Sequence, residues 1–183
     1  LLRRIVCCLL VALCPSVPSS AAEESIPDPA AWLPREGIDL QDRAAILDLI
    51  HVYSHLADGL HTELFGQFFT EDAVFSVVGP GVQAKSAARI LGRSRPAIVA
   101  ALRPRHSAFR REKVQRRHFL TNPIVWDQTK ESARVAVYLQ LVSVEKGGPP
   151  KIIGTGRYEG RAVQTPEGWR MAEWTIHSDQ ILE

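Results

Sequence analysis

From residue 118 to residue 177 the sequence reads as strand after strand, with no helical period between them. The runs 118–126, 134–144, 152–163 and 169–177 are separated only by turn chemistry. Asp127-Gln128-Thr129-Lys130 comes first, then Gly147-Gly148-Pro149-Pro150, then a turn holding Pro166 and Gly168. Connections this short let consecutive strands pair only antiparallel, so the last third is predicted to be a meander. A sheet of that kind must bury one face, and the cover has to come from upstream.

The upstream residues supply helices. Asp39 is placed to cap a helix start, and Asp42 adds negative charge to the first turn. Ile46, Ile50, Tyr53 and Ala57 recur at three- and four-residue spacings, flanked by Leu47, Leu49 and Leu56, which predicts one helix over 40–58. Gly59 offers a permissive backbone at its end. A shorter helical piece over 61–68 turns Leu64, Phe65 and Phe68 toward the core. A strand over 73–78 stops at Gly79-Pro80-Gly81, and a short second strand is expected over 87–91. Ser94 and Pro96 read as the cap and first turn of a further helix. Pro104 is expected to end it, leaving 104–115 as a charged loop. Helices first and sheet later define an α+β class rather than alternating βαβ units.

The first residues obey a different pattern. Arg3 and Arg4, an apolar run over 5–13 and small residues over 19–22 follow the order of a secretory signal peptide. Residues 1–22 are therefore expected to be a leader, 23–37 an extended arm containing Pro27, Pro29 and Pro34, and 38–183 one domain. The apolar run is shorter than the roughly 20 residues a spanning helix needs, so no stable membrane span is expected. A secreted or periplasmic location follows, with a lipoprotein attached through Cys14 as the alternative. Cys7, Cys8 and Cys14 are all the cysteines, and all leave with the leader. That excludes a thiol nucleophile, a cysteine-ligated metal and a disulfide in the mature chain. Basic residues number 22 and acidic ones 20, and losing Arg3 and Arg4 brings the two into balance. Such a balance gives a nucleic-acid partner no support. The basic stretch from Arg103 to Arg117 reads as a solvated loop with helix-end arginines, an anionic partner or ligand being the alternative.

Several segments in order resemble a known superfamily. They are 42–50 leading to Tyr53, then 68–75, Gly92-Arg93 ahead of Ile98, and Arg117-His118-Phe119-Leu120-Thr121-Asn122. Gly156-Arg157-Tyr158 and Gly168-Trp169-Arg170-Met171 complete the set. Together they resemble the SnoaL-like branch of the nuclear-transport-factor-2-like proteins, over nearly everything after Ile38. The resemblance implies a cone-shaped fold, with helices packed on a strongly curved, mainly antiparallel sheet around an apolar pocket. It also implies a homodimer formed through the sheet's outer face. Relatives in that superfamily include scytalone-dehydratase-like lyases, steroid isomerases, polyketide cyclases and plain binding proteins. In the dehydratase-like members an aspartate at the first helix's end and a strand histidine reach into the cone. Asp58 and His118 match those positions. A second dehydratase-type histidine has no counterpart on the next strand, where Tyr138 and Gln140 stand instead.

The residues themselves point the same way. His118 begins an alternating strand whose face continues through Leu120, Asn122, Ile124 and Trp126. Imidazole exchanges protons near neutrality, a carboxylate behind it would hold its tautomer, and a phenol can stabilise an oxyanion. Asp58, His118 and Tyr53 are therefore the catalytic candidates; Asn122, Phe65, Trp126 and Tyr138 are the substrate-contacting ones. Each also has an ordinary structural reading as a helix end, rim group or core aromatic. His51 and His55 lie four apart but lack an acidic neighbour, so no metal is expected, and no cofactor. His61, His106 and His177 read as solvated. No phosphate-cradling glycine pattern is present. The expected activity is cofactor-free proton transfer, dehydration or isomerisation, on an apolar carbonyl- or hydroxyl-bearing small molecule. A hydrophobic small-molecule binder without turnover is the alternative, and an accessory dimerisation module a third.

Overall fold

The structure is a computed structural model in which residues 38–80 and 88–180 are described. The expected leader (1–22) and arm (23–37) lie outside the described residues. The first helix, α1, spans Leu40–Asp58, as its period requires. Asp39 caps it, accepting from the backbone N–H groups of Gln41 and Asp42. Ile46, Leu49, Ile50, Tyr53 and Ala57 form its buried stripe. Gly59 closes the helix without a left-handed backbone, at φ −77°, and Leu60 takes the positive φ of 56° instead. Glycine is needed there for closeness, because a Cβ would stand 2.5 Å from the His61 ring.

Helix α2 covers Thr62–Gly66, strand β1 Phe69–Val78 and strand β2 Arg89–Arg93. Helix α3 runs Arg95–Glu112, passing through Pro104 rather than stopping at it. Proline removes one internal hydrogen bond and crowds the preceding turn. Contacts on both sides of Pro104 hold the helix in place. Arg103 pairs with Glu63 at 2.7 Å, His106 is buried against Thr62, and Arg110 donates to the Leu60 carbonyl. The helix ends instead at Lys113, whose φ of 55° is left-handed. Hence 104–112, expected as loop, is helix.

Strands β3 (Val114–Trp126), β4 (Ser132–Glu145), β5 (Lys151–Thr165) and β6 (Gly168–Ser178) form the expected antiparallel meander. Among the described residues, six strands make one sheet in the order β2-β1-β6-β5-β4-β3. The sheet corrects the expected shape. Strand β1 lies parallel to β6, so the sheet is mixed. Its edges, β2 and β3, do not pair, so it is open and not the strongly curved cone implied by the resemblance. Helix α3 carries the chain from one edge, β2, to the other, β3, and packs on β1, β2 and β3.

The core lies between α1, α2 and the sheet's inner face. Tyr53, Phe65, Phe68, Phe69, Phe75, Tyr158 and Trp174 pack ring to ring within it. Side chains from the sheet pin α1 along its length. Trp169 Nε1 donates to Asp42 Oδ1 at 3.0 Å, and Arg43 donates to the Val125 carbonyl at 2.9 Å. At the far end Gln115 Nε2 donates to the Asp58 carbonyl at 3.0 Å. The end of α1 is thereby fixed beside the start of β3.

Candidate functional site

That junction brings Asp58 and His118 together. The carboxylate engages residue 118 twice: Oδ2 accepts the backbone N–H at 2.9 Å, and Oδ1 lies 2.6 Å from Nδ1. The side chains are 10% and 15% exposed respectively, so water competes little for the pair. A carboxylate accepts, so Nδ1 is the donor, and in the neutral ring this tautomer leaves the lone pair on Nε2. The His118 ring stands edge-on to Tyr53, centroids 5.8 Å apart.

His118 and Tyr53 line a cavity of about 600 Å³ between α1, α3 and the sheet. Phe65, Leu139, Leu141 and Ile176 supply part of its apolar wall. Asp58 does not line it but stands behind His118. The Tyr53 hydroxyl is 3.0 Å from that of Tyr158, which lines the same cavity. Burial pushes Tyr53 up to about 12 and Tyr158 well above the usual phenol value. Both are therefore neutral near pH 7. One hydroxyl proton is used within the pair and one remains to donate outward.

The other sequence candidates are distributed differently. Asn122, Trp126 and Tyr138 do not line the cavity. Strand β3 changes face at a bulge between Thr121 and Ile124, where Asn122 has φ 54°. Pro123 gives that position no amide to pair, which an edge strand tolerates. Past the bulge Val125, not Ile124 or Trp126, turns into the core. Tyr138, between inward Val137 and Leu139, is 57% exposed on the opposite face.

Tyr158 and His106 line the cavity although neither was among the site candidates. Tyr158 sits in a segment that carried the resemblance, without an assigned role. Its signal is alternation: Gly154, Gly156, Gly160 and Ala162 share its face of β5, so one large side chain stands among small ones. His106 was read as solvated but is buried, its Nδ1 2.8 Å from Thr62 Oγ1. Burial lowers its affinity for a proton, and the positive charges of Arg110 and Arg105 lower it further. The cavity thus holds two imidazoles, one backed by a carboxylate and one by a hydroxyl. No group of three or more His, Cys, Asp or Glu suited to a metal occurs among the described residues. No described helix is long and apolar enough to cross a membrane.

No curated protein matches the sequence significantly. Among solved structures, an NTF2-like protein with a cystatin-like fold from Novosphingobium aromaticivorans is 24% identical, with a TM-score of 0.62 over 76% of this chain and 82% of that one. ActVI-ORFA from Streptomyces coelicolor is 20% identical, with a TM-score of 0.63 over 76% and 98%. A Catenulispora acidiphila protein in complex with S-DNPA is 21% identical, with a TM-score of 0.60 over 76% and 95%. These likenesses concern the fold. The model of the SnoaL-like domain matches residues 39–175, a span that contains Tyr53, Asp58, His106, His118 and Tyr158, and the chain belongs to that family.

Proposed function

We propose that the protein is a proton-transfer enzyme, a dehydratase or isomerase, acting on an apolar small molecule that bears a carbonyl or hydroxyl group. The single observation that carries this reading is the cavity-lining imidazole of His118, its Nδ1 held by one oxygen of a carboxylate whose other oxygen accepts the residue's backbone N–H and which itself stays out of the cavity. A histidine that only filled space would need no such double anchor. Nε2 of His118 takes a proton from the carbon next to the carbonyl, and Asp58 stabilises the imidazolium that forms. The Tyr53–Tyr158 pair donates its outward hydroxyl proton to the oxygen as charge develops there. A neutral phenol is a donor and not a base, so acid and base roles fall on different groups. Return of that proton from His118 to the departing β-hydroxyl, which leaves as water, completes a dehydration; its return to a different carbon completes an isomerisation. His106 lies on the same cavity and can receive or return a proton on the other side of the ligand. The basic, apolar and small order of residues 1–22 supports placing this chemistry outside the cytoplasm.

Both reactions begin with the same proton leaving carbon, which permits a test that does not require the physiological substrate. A panel of ring ketones and β-hydroxy ketones is incubated with the protein in deuterated water, and deuterium at the α-carbon is read by mass spectrometry. Exchange by the wild type that His118→Ala abolishes is the expected result. Ligands that bind, by thermal shift, yet exchange no faster than in buffer would leave a binding protein without turnover.

A further inference from the structure

Three arginines from three separate elements line the cavity: Arg89 of β2, Arg105 of α3 and Arg116 of β3. His106 and His118 add two imidazoles, and no Asp or Glu among the described residues lines it. Arg105 and Arg116 meet at one ring, their guanidinium carbons 5.5 and 4.7 Å from the centroid of Phe109, which also lines the cavity. Two cations held at one aromatic ring repel each other, so an anion between them would relieve a repulsion as well as gain two attractions. Neither arginine forms an ion pair with another described residue. Their neighbours on α3 behave as ordinary surface arginines do. Arg103 is paired with Glu63 at 2.7 Å, Arg111 with Glu112 at 2.9 Å, and Arg110 caps the Leu60 carbonyl.

Arg116 carries the sharper signal. Its Nε is buried with no hydrogen-bond partner among the described residues. A buried donor attached to a cation is costly to leave unmade, so such a group calls for an acceptor. Burial, and then the charge of Arg105, lowers its affinity for its proton. The charge of Arg105 also reaches Tyr53 and Tyr158, the pair that faces the reacting oxygen. Glu145 offsets part of this at Arg116 and Asp58 opposes it at the tyrosines, but neither carboxylate lines the cavity, whose charged lining is cationic.

We propose that the ligand of this cavity is an amphipathic anion: an apolar, ring-bearing body with a carboxylate or similar acidic group, held by Arg105 and Arg116 beside Phe109. The assignment rests on the reading of the cavity as a small-molecule site and narrows its substrate class. Guanidinium forks match the two oxygens of a carboxylate, and the Phe109 ring keeps both forks in place before the ligand arrives. The apolar body then extends along the wall toward His118. An acidic handle far from the reacting carbon supplies binding energy that orients the α-proton, a role the chemistry itself does not need.

The test uses two fluorescent probes with one ring skeleton, anilinonaphthalene sulfonate and neutral phenylnaphthylamine, titrated into the full chain. The wild type is expected to bind the sulfonate at least about tenfold more tightly, since hydrogen bonds to charged groups are worth that much. Arg105→Ala combined with Arg116→Met should erase the preference while phenylnaphthylamine binds as before. Arg103→Ala, which removes the same charge from the same helix, should keep it. Equal affinities in the wild type, or a preference that survives the double variant, would overturn the anionic assignment while leaving an apolar site. Failure of both probes in the wild type would instead refute the small-molecule reading and this inference with it. If the double variant loses its cooperative melt, exposed Arg105→Ala alone decides, and a preference reduced severalfold or unchanged separates the two outcomes.

Discussion

Replacing Asp58 with asparagine takes one acceptor from a site that uses two. In the wild type Oδ2 receives the His118 backbone N–H at 2.9 Å and Oδ1 receives Nδ1 at 2.6 Å. An amide keeps a single oxygen, so whichever donor it does not serve faces an NH₂ group. Hydrogen bonds to a charged group contribute about 1.5–3 kcal/mol each, and an unmet buried donor costs about 1–3 kcal/mol. Asp58→Asn should therefore destabilise the protein by about 2–4 kcal/mol, one bond being lost and another weakened. His118→Ala removes only the ring's share, because the backbone N–H stays in place. The double-mutant cycle consequently isolates the Nδ1–Oδ1 contact, with an expected coupling of about 1.5–3 kcal/mol in urea unfolding. Nitrogen-15 spectra of the imidazole provide the independent reading: the proton sits on Nδ1 in the wild type, and Asp58→Asn mixes the tautomers. Coupling below about 0.5 kcal/mol, within ordinary non-additivity, would refute the dyad. So would a wild-type proton on Nε2, since the ring could then not act as a base toward the cavity.

The tyrosine pair gives a different pattern. Tyr53→Phe or Tyr158→Phe alone should cost about 1–2 kcal/mol by leaving one buried hydroxyl without its 3.0 Å partner, and the double variant should cost less than the sum in chemical denaturation. Gly160→Ala should destabilise by about 1–3 kcal/mol in thermal melts, because a Cβ there meets Trp174 at 2.5 Å and the Glu173 carbonyl at 2.6 Å. Stability should also fall with acid in two windows. His106 holds its proton less readily when folded than its ordinary 6.5, so the unfolded chain takes up more protons and stability declines as pH drops below 6.5. His106→Gln should flatten that step. Glu159 comes next: burial opposes its ionisation, but the His177 hydrogen bond and Arg157 prevail and bring it from 4.5 down to about 2. Its contribution is complete above 4.5 and is lost as pH falls through 2. Urea midpoints measured across pH check both windows.

The long elements were legible because each repeats one physical rule. The stripe Ile46, Ile50, Tyr53 and Ala57 marks α1, and turn residues separate β3 to β6 in the sequence itself. What misled was a local rule overridden by tertiary contact. Pro104 signals a helix end in isolation, yet Thr62 and Glu63 of α2 hold the turns on either side of it. The same override hid His106, which a loop would have left in water and the helix buries, and it set Arg105, still exposed, at the cavity's edge. Pairing at the sheet's far edge was equally invisible. The parallel contact of β1 with β6 joins residues about a hundred positions apart, and no short-range pattern encodes it.

The failed alternation of β3 is the more instructive case. A period of two carried from His118 predicted that Asn122, Ile124 and Trp126 would share its face. The break occurs at Asn122-Pro123, one residue tolerant of a left-handed backbone followed by one with no amide. That dipeptide inside an edge strand is itself a bulge signal, and it divides the strand by task. Before it, Arg116 and His118 face the cavity; after it, Val125 faces the core and accepts Arg43 from α1. Without the bulge, one continuous face would bury Asn122 in the aromatic core, where its amide would need partners the core does not offer. A single extra residue thus lets one strand serve a polar site and an apolar core. Deleting Pro123 should restore alternation with Val125 still inward and Asn122 turned to the same face, so urea unfolding should show a loss of about 1–3 kcal/mol for the unmet amide, and no loss would refute this account of the bulge.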